Sequence, residues 1–383
     1  MSDLFWPGDE RAGDHLTDAR LVAAMVEVEE AWLVVLGHEA RLPRDLDPGV
    51  IGADAEAGGN PVIPLVAALR HAVPEETGRL LHRGLTSQDV LDSALMLSTR
   101  DATGAVRAAL EAQVTALVAL VETHRDTPMV ARTLTQHAVP ITFGLKAATW
   151  LSGVLDARDD VAALTFPVQC GGAAGTMAGI VEIGLDPSAA RSGLAQGLGL
   201  ADALPWHTNR SAVTRIGDAL TRCTDAWSRI ANDVLTLSRP EIGELSEGTG
   251  GGSSTMPHKA NPVLSTLVRR AALTTPHLAA TLHAAAADQT DERAAGAWHA
   301  EWATLRTLVR RVLVAAGQTN ELLTGLQVHP DRMAQTLGAA RDAVHAEQQS
   351  LAEVAGHQPT GDYLGAAGAL ADAVLVRAQE APR

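Results

Sequence analysis

Aromatic side chains are scarce in this sequence: seven Trp, three Phe and one Tyr among 383 residues, 3% of the chain. Hydrophobic residues still make up 46%. The core is therefore expected to be aliphatic and Ala-rich, which suits close packing of helices. Cysteine is scarcer: Cys170 and Cys223 are the only two. They form no metal or redox spacing, which points to a reducing cytoplasm and two ordinary buried thiols. Positive charge is in deficit. Thirty Lys and Arg against 45 Asp and Glu give a net charge of −15. That balance argues against nucleic-acid or membrane-surface partners, because phosphate backbones select basic faces. No basic-plus-apolar leader is seen, and no apolar run reaches the ~18 residues of a membrane span. No HExxH, cysteine cluster or paired-acid motif suggests a metal, and no nucleotide motif is present, so a cofactor-free protein is expected.

Lysine is nearly absent too. Lys146 and Lys259 are the only two, and the other basic residues are arginines. The chain uses Arg wherever a plain surface cation will do. Two surviving lysines are candidates for places that need a compact ammonium, against the plain alternative of chance.

What is present is mostly helix. Apolar residues recur at helical spacing over 16–41, through Leu21, Met25, Val28, Trp32 and Leu36. Residues 43–100 are broken by Gly and Pro and read as short helices with loops. From Asp101 a long helical pattern runs, pauses at Pro128, and resumes through 141–164. Further helices are expected over 211–238, from about Val263 to Ala287, and from Trp298 to Gly317. No alternating strand pattern of useful length appears, so the fold class is all-α. The division expected along the chain is an N-terminal helical domain (1–100), a central long-helix bundle (101–330) and a shortened C-terminal region (331–383). Helices apolar around so much of their circumference usually bury more than one face, in a bundle or across a subunit interface.

Four polar islands interrupt the helices. In HRGLTSQDVLDSA (82–94), Thr86, Ser87 and Asp89 look like the cap of the next helix, or a place where hydroxyls and a helix N-terminus hold a carboxylate. In TLTQHAVPITFGLK (133–146), His137 has Gln136, Thr142 and Lys146 for company. QCGGAAGT (169–176) is a tight packing site or a backbone approach to a ligand; it is no dinucleotide fingerprint. The fourth, GTGGGSSTMPHKANPV (248–263), is a linker or a site. A linker has no need of Met256-Pro257 and a fixed Lys259 and Asn261. Successive Gly and Ser N–H groups cradle an oxyanion, Lys259 and Asn261 donate to developing negative charge, and Ser253 or Ser254 offers a hydroxyl. The residues point to a metal-free site that stabilises an enolate-like anion and moves a proton.

GGSSTMPHKAN resembles the S-S-x-M-P-x-K-x-N signature of the fumarase/aspartase superfamily. HRGLTSQD and QHAVPITFGLK resemble two further conserved segments of it. QHAVPITFG, QCGGAAGT, PWHTNR (205–210) and ERAAGAWHAEW (292–302) are most similar to its 3-carboxy-cis,cis-muconate cycloisomerase branch. The similarity covers about 15–330. It implies a long helical bundle with a small N-terminal domain and a shortened C-terminal one, assembled in the cytoplasm as a homotetramer whose active sites combine segments of three subunits. It implies acid–base chemistry on a small polycarboxylate through an aci-carboxylate intermediate. By position, Ser253 matches the catalytic serine, and Lys259 and Asn261 match residues holding the substrate carboxylate in its dianionic form. His137 matches an acid or binder. His82, Thr86 and Ser87 match substrate contacts, Arg293 matches a carboxylate-binding arginine, and Gln136 and Ser254 flank these positions. Asn209 and Ser211 stand where the branch usually has Gln and Asp, and Asp291 where His is common. Conversion of 3-carboxy-cis,cis-muconate to a lactone is the expected activity. The alternatives are a superfamily lyase that eliminates an amine or nitrite from a succinate-type substrate, and a non-catalytic helical scaffold.

Overall fold

The structure is a computed structural model that describes residues 3–248, 251–252, 256 and 259–382, with the side chain of Ala343 left out. The fold is all-α: fourteen α-helices and two small two-stranded sheets lie among the described residues. Four helices precede the first site segment and a fifth, much longer one carries it. These are α1 (Asp18–Val35), α2 (Pro48–Gly58), α3 (Val62–Ala72), α4 (Glu75–Leu80) and α5 (Ser87–Thr123), the last being the longest of all at 37 residues. The hairpin β1 (Pro128–Thr133) and β2 (Gln136–Thr142) leads into α6 (Phe143–Ala162). Then come α7 (Ala178–Glu182), α8 (Pro187–Leu198), α9 (Ser211–Leu237), β3 (Leu245–Ser246), α10 (Val263–Ala287), α11 (Ala297–Gly325) and β4 (Gln327–Val328). The chain closes with α12 (Pro330–Ala339), α13 (Arg341–Ala355) and α14 (Ala367–Ala378).

By contacts the chain sorts into two compact units. The first gathers 1–105, 164–218 and 276–313; the second gathers 106–163, 219–275 and 314–383. The long helices α5, α9, α10 and α11 each contribute to both. In the first unit α1 packs on α8, where Val35 and Ala31 lie beside Gly193 and Gly197; Val22, Met25, Val26, Trp32 and Leu33 of α1 and Ala190 and Leu194 of α8 are buried. In the second, α12 packs on β1 and α13 on β2, while α14 lies along α6. The two cysteines are buried free thiols, and burial pushes the Cys170 thiol up to about 12. A thiol that stays protonated is a poor nucleophile.

Two expectations need correction. The long helix does not begin at Asp101; it begins at Ser87, where Thr86 and Asp89 cap it. Among the described residues α5 is the one helix long and apolar enough to cross a membrane by length and composition, and a third of its most apolar window is buried. Around His137, where no strand pattern was expected, the chain is extended. It forms an antiparallel hairpin pairing Met129 with Ile141 and Arg132 with His137. Val130, Val139, Ile141 and Thr142 favour extended backbone. Pro140, which has no N–H to give, stands opposite Val130 beside the register shift between Val130 and Arg132, where a proline is tolerated. Leu134 and Thr135 form the two-residue turn with φ of 48° and 71°, the left-handed conformation that a tight hairpin demands.

Candidate active site

The first unit carries His82, Thr86, Ser87 and Arg293. Thr86 ends the loop before α5. Its carbonyl accepts from the N–H of Asp89 at 2.9 Å, and its own N–H donates to Asp89 Oδ2 at 2.9 Å. This is the backbone half of a capping box. The Thr86 hydroxyl accepts from Arg293 Nη2 at 2.6 Å. A guanidinium, a hydroxyl and the N-terminus of a 37-residue helix therefore meet at one point, an arrangement that favours an anion. Ser87, the first residue of α5, is half-buried beside them.

His82 adopts a left-handed φ of 63°. A non-glycine residue holds that conformation only when its surroundings impose it. Here Glu29 does so. Its side chain is fully buried and accepts both the His82 N–H (3.0 Å) and Nδ1 (2.6 Å). Nδ1 therefore carries a proton, and Nε2 is the ring atom left for other work.

Behind this face lies a cluster of buried charge. Arg210 meets Asp92 in a fork (Nη1–Oδ2 2.7 Å, Nη2–Oδ1 3.0 Å) and Glu301 through Nε and Nη2 (2.9 and 2.6 Å). Its guanidinium lies 4.5 Å over the Trp206 ring. Trp298 Nε1 donates to Asp92 Oδ1 at 2.9 Å. Burial alone lowers the Arg210 pKa, but Asp92 and Glu301 outweigh it and the net shift is upward. Burial pushes Glu301 above the usual carboxylate range, with Arg210 opposing it. The cluster ties α5, the segment before α9, and α11, which follows Arg293 closely in sequence.

The second unit carries Gln136, His137, Lys259 and Asn261. Gln136 and His137 open β2 and are exposed; Gln136 Nε2 donates to Thr135 Oγ1 at 3.3 Å. Lys146 is not beside them on one helix. It lies on α6 with its ammonium 3.6 Å from Asp233, which also accepts from Trp150 Nε1 at 2.8 Å and pairs with Arg229. Burial pushes the Lys146 pKa below its ordinary value, with Asp233 opposing the shift. Ser253 and Ser254 lie outside the described residues.

The signature loop has a closed neck. Gly251 and Asn261 exchange two backbone hydrogen bonds of 2.9 Å each. Just before it, buried Glu247 accepts the N–H groups of Leu264 (3.1 Å) and Ser265 (2.7 Å) and so caps α10. At Gly248 a Cβ would stand 2.5 Å from the Gly325 carbonyl oxygen, so only glycine fits. The loop is pinned at both ends, which a plain linker has no reason to be. Lys259, exposed, donates its N–H to the Met256 carbonyl at 3.0 Å.

In the third island two backbone N–H groups are taken by a carboxylate of α5. The N–H groups of Gly171 and Gly172 both donate to Asp89 (2.8 and 2.9 Å). Glu29, Asp92, Arg210, Glu301 and Glu247 escaped the sequence reading. One signal was available: Asp89 and Asp92 stand three apart at the head of a largely apolar helical pattern, where a buried acid needs a partner.

A family model described as Lyase (Lyase_1) matches residues 50–274. The chain belongs to this lyase family, within the fumarase/aspartase superfamily. It is 43% identical to the nitrosuccinate lyase of Streptomyces davaonensis over 360 residues, which cover 87% of this chain and 76% of that protein. It is 40% identical to the 3-carboxy-cis,cis-muconate cycloisomerase of Bradyrhizobium diazoefficiens over 316 residues, 80% of this chain and 69% of that one. Its fold matches the crystal structure of the 3-carboxy-cis,cis-muconate lactonizing enzyme from Pseudomonas putida with a TM-score of 0.86 and 28% identity, over 99% of both chains. The lyase family of this superfamily is made of lyases and isomerases, and this chain is an enzyme of that kind.

Proposed function

We propose that the protein forms or breaks a bond on the carbon β to a carboxylate of a small polyanion, while a proton joins or leaves the carbon between them. The contact of Arg293 with the Thr86 hydroxyl at the start of α5 carries this reading. It supplies one carboxylate anchor by charge, hydrogen bond and helix dipole together. Lys259 and Asn261 stabilise a second carboxylate as it takes on the charge of the aci form, an effect worth several kcal/mol. Ser253 carries the proton. Its hydroxyl acts as base only if the same anion-stabilising loop lowers its pKa. His82, His137, Gln136, Ser87 and Ser254 line the substrate. We further propose a cytoplasmic homotetramer with sites completed by neighbouring chains. No cofactor enters any step.

The first substrate is 3-carboxy-cis,cis-muconate. One carboxylate adds to the double bond and closes a lactone, and the carbon next to the far carboxylate takes the proton. The named activity of the Bradyrhizobium relative and of the Pseudomonas putida structure supports this. A second reading is favoured by the higher identity and wider cover of the nitrosuccinate lyase, and by Asn209 and Ser211. In it the proton leaves and nitrite departs from the neighbouring carbon, giving fumarate.

A substrate panel followed by ultraviolet absorbance separates the two. Loss of the diene band of 3-carboxymuconate supports cyclisation. Fumarate and nitrite from nitrosuccinate, with the tricarboxylate untouched, support elimination. An enzyme that transforms neither of these nor an aminated succinate would sink the proposal.

A further inference from the structure

We infer that Asp89 is a positioning residue for the Thr86–Arg293 anchor, an inference that rests on the proposed role of that anchor in binding a substrate carboxylate. Asp89 has no exposed surface. Oδ1 accepts from Gly171 N–H (2.8 Å) and His207 Nε2 (3.1 Å). Oδ2 accepts from Gly172 N–H (2.9 Å) and Thr86 N–H (2.9 Å). A capping carboxylate needs only the last of these. The other three donors lie 82, 83 and 118 residues away in sequence.

A carboxylate offers about four acceptor directions, and here each meets a donor. The Thr86 backbone and the Gly171–Gly172 turn are thus fixed against each other through one side chain. The turn has no slack. A Cβ on Gly171 would stand 2.6 Å from His207 Cε1 and 3.0 Å from Pro205 Cβ.

The consequence falls on the Thr86 hydroxyl. A threonine before a helix usually spends its side chain capping the first turn. Here the Asp89 N–H donates to the Thr86 carbonyl and the hydroxyl bonds Arg293 instead. By holding the Thr86 N–H, the Asp89 carboxylate fixes the backbone that carries that hydroxyl and so sets its place. It touches no substrate itself.

The test is a double-mutant cycle on the full chain, with the substrate that the panel identifies. Thr86→Val is expected to raise KM about tenfold or more, the value of a hydrogen bond to a charged group. Asp89→Asn is expected to raise KM by a similar factor while kcat falls less. In the Asp89→Asn background, Thr86→Val is expected to cost under about twofold, because the hydroxyl is already misplaced. Circular dichroism and light scattering confirm folding and assembly. If Asp89→Asn does not fold, His207→Phe, which removes one of the four donors, takes its place with the same expected loss of the Thr86 effect. An undiminished cost of Thr86→Val in either background, or an unchanged KM with only a lower melting temperature, overturns the inference. Thr86→Val alone leaving KM unchanged overturns the anchor itself, and is seen without any Asp89 variant.

Discussion

Arg210 is 2% exposed and bonds Asp92 and Glu301, each of them no more than 2% exposed. Taking three charges out of water costs several kcal/mol per ion, and only close geometry offsets it. Removing the cation leaves two buried carboxylates facing each other. Arg210→Met is therefore expected to lower unfolding free energy by about 3–5 kcal/mol, read from urea denaturation; a loss under about 1 kcal/mol, in the range of an exposed pair, would contradict this account. Of the cluster, only Asp92 left a trace in the sequence, and its partners did not. Its members are spread from Asp92 to Glu301, and only the fold brings them together. The cap at Thr86 and Asp89 was legible because its partners are three residues apart. The further bonds of Asp89 were not, because Gly171 and His207 lie far along the chain. The signature loop was legible for the opposite reason: Lys259, Asn261 and the serines sit side by side, so their types and spacing already carry the chemistry.

Among the elements, the hairpin hid best. Its turn is Leu134-Thr135, with none of the Asn-Gly or Asp-Gly that marks a two-residue turn. Pro140 argued against a strand as well. The left-handed conformation costs each non-glycine residue about 1–2 kcal/mol. Replacing the pair by Asn-Gly is expected to raise stability by about 1–2 kcal/mol, seen as a higher urea midpoint at unchanged slope. A lower midpoint would mean that the turn is held by something other than its own backbone. In the same unit, α14 is latched to the turn before β1 and to α6. Arg125 meets Asp372 in a fork (2.8 and 2.7 Å), and Arg377 bonds Asp156 (2.7 Å) and Asp159 (3.0 Å). The hydrogen bond and charge of Arg125 hold the Asp372 carboxyl below its usual range. A lowered carboxylate pKa means that the folded state binds the proton more weakly than the unfolded one. The latch is therefore complete above the ordinary carboxylate range and is lost as pH falls through the lowered value. Protection of the amides of 367–378 against hydrogen exchange is expected to drop in that acid window, and at neutral pH in Asp372→Asn. Equal protection in the variant would show that packing alone holds α14.

For the whole molecule, each unit holds part of the residue set that the signature implies. His82, Thr86, Ser87 and Arg293 fall in one, and Gln136, His137, Lys259 and Asn261 in the other. The all-α architecture was legible because helical periodicity repeats over many turns. The substrate is not written in that periodicity, since relatives of one fold carry different activities on it. The chemistry proposed for both substrates shares one event, a proton moving on the carbon beside a carboxylate. The measurement that reads this event is turnover in heavy water followed by NMR, using the substrate that the panel identifies. For lactone formation, the product is expected to carry one deuterium on that carbon in a single stereochemical position; for elimination, the reverse addition is expected to place it there. Ser253→Ala, folded and assembled, is expected to lose this incorporation. Product formed without deuterium at that carbon, or incorporation undiminished in Ser253→Ala, would contradict the account.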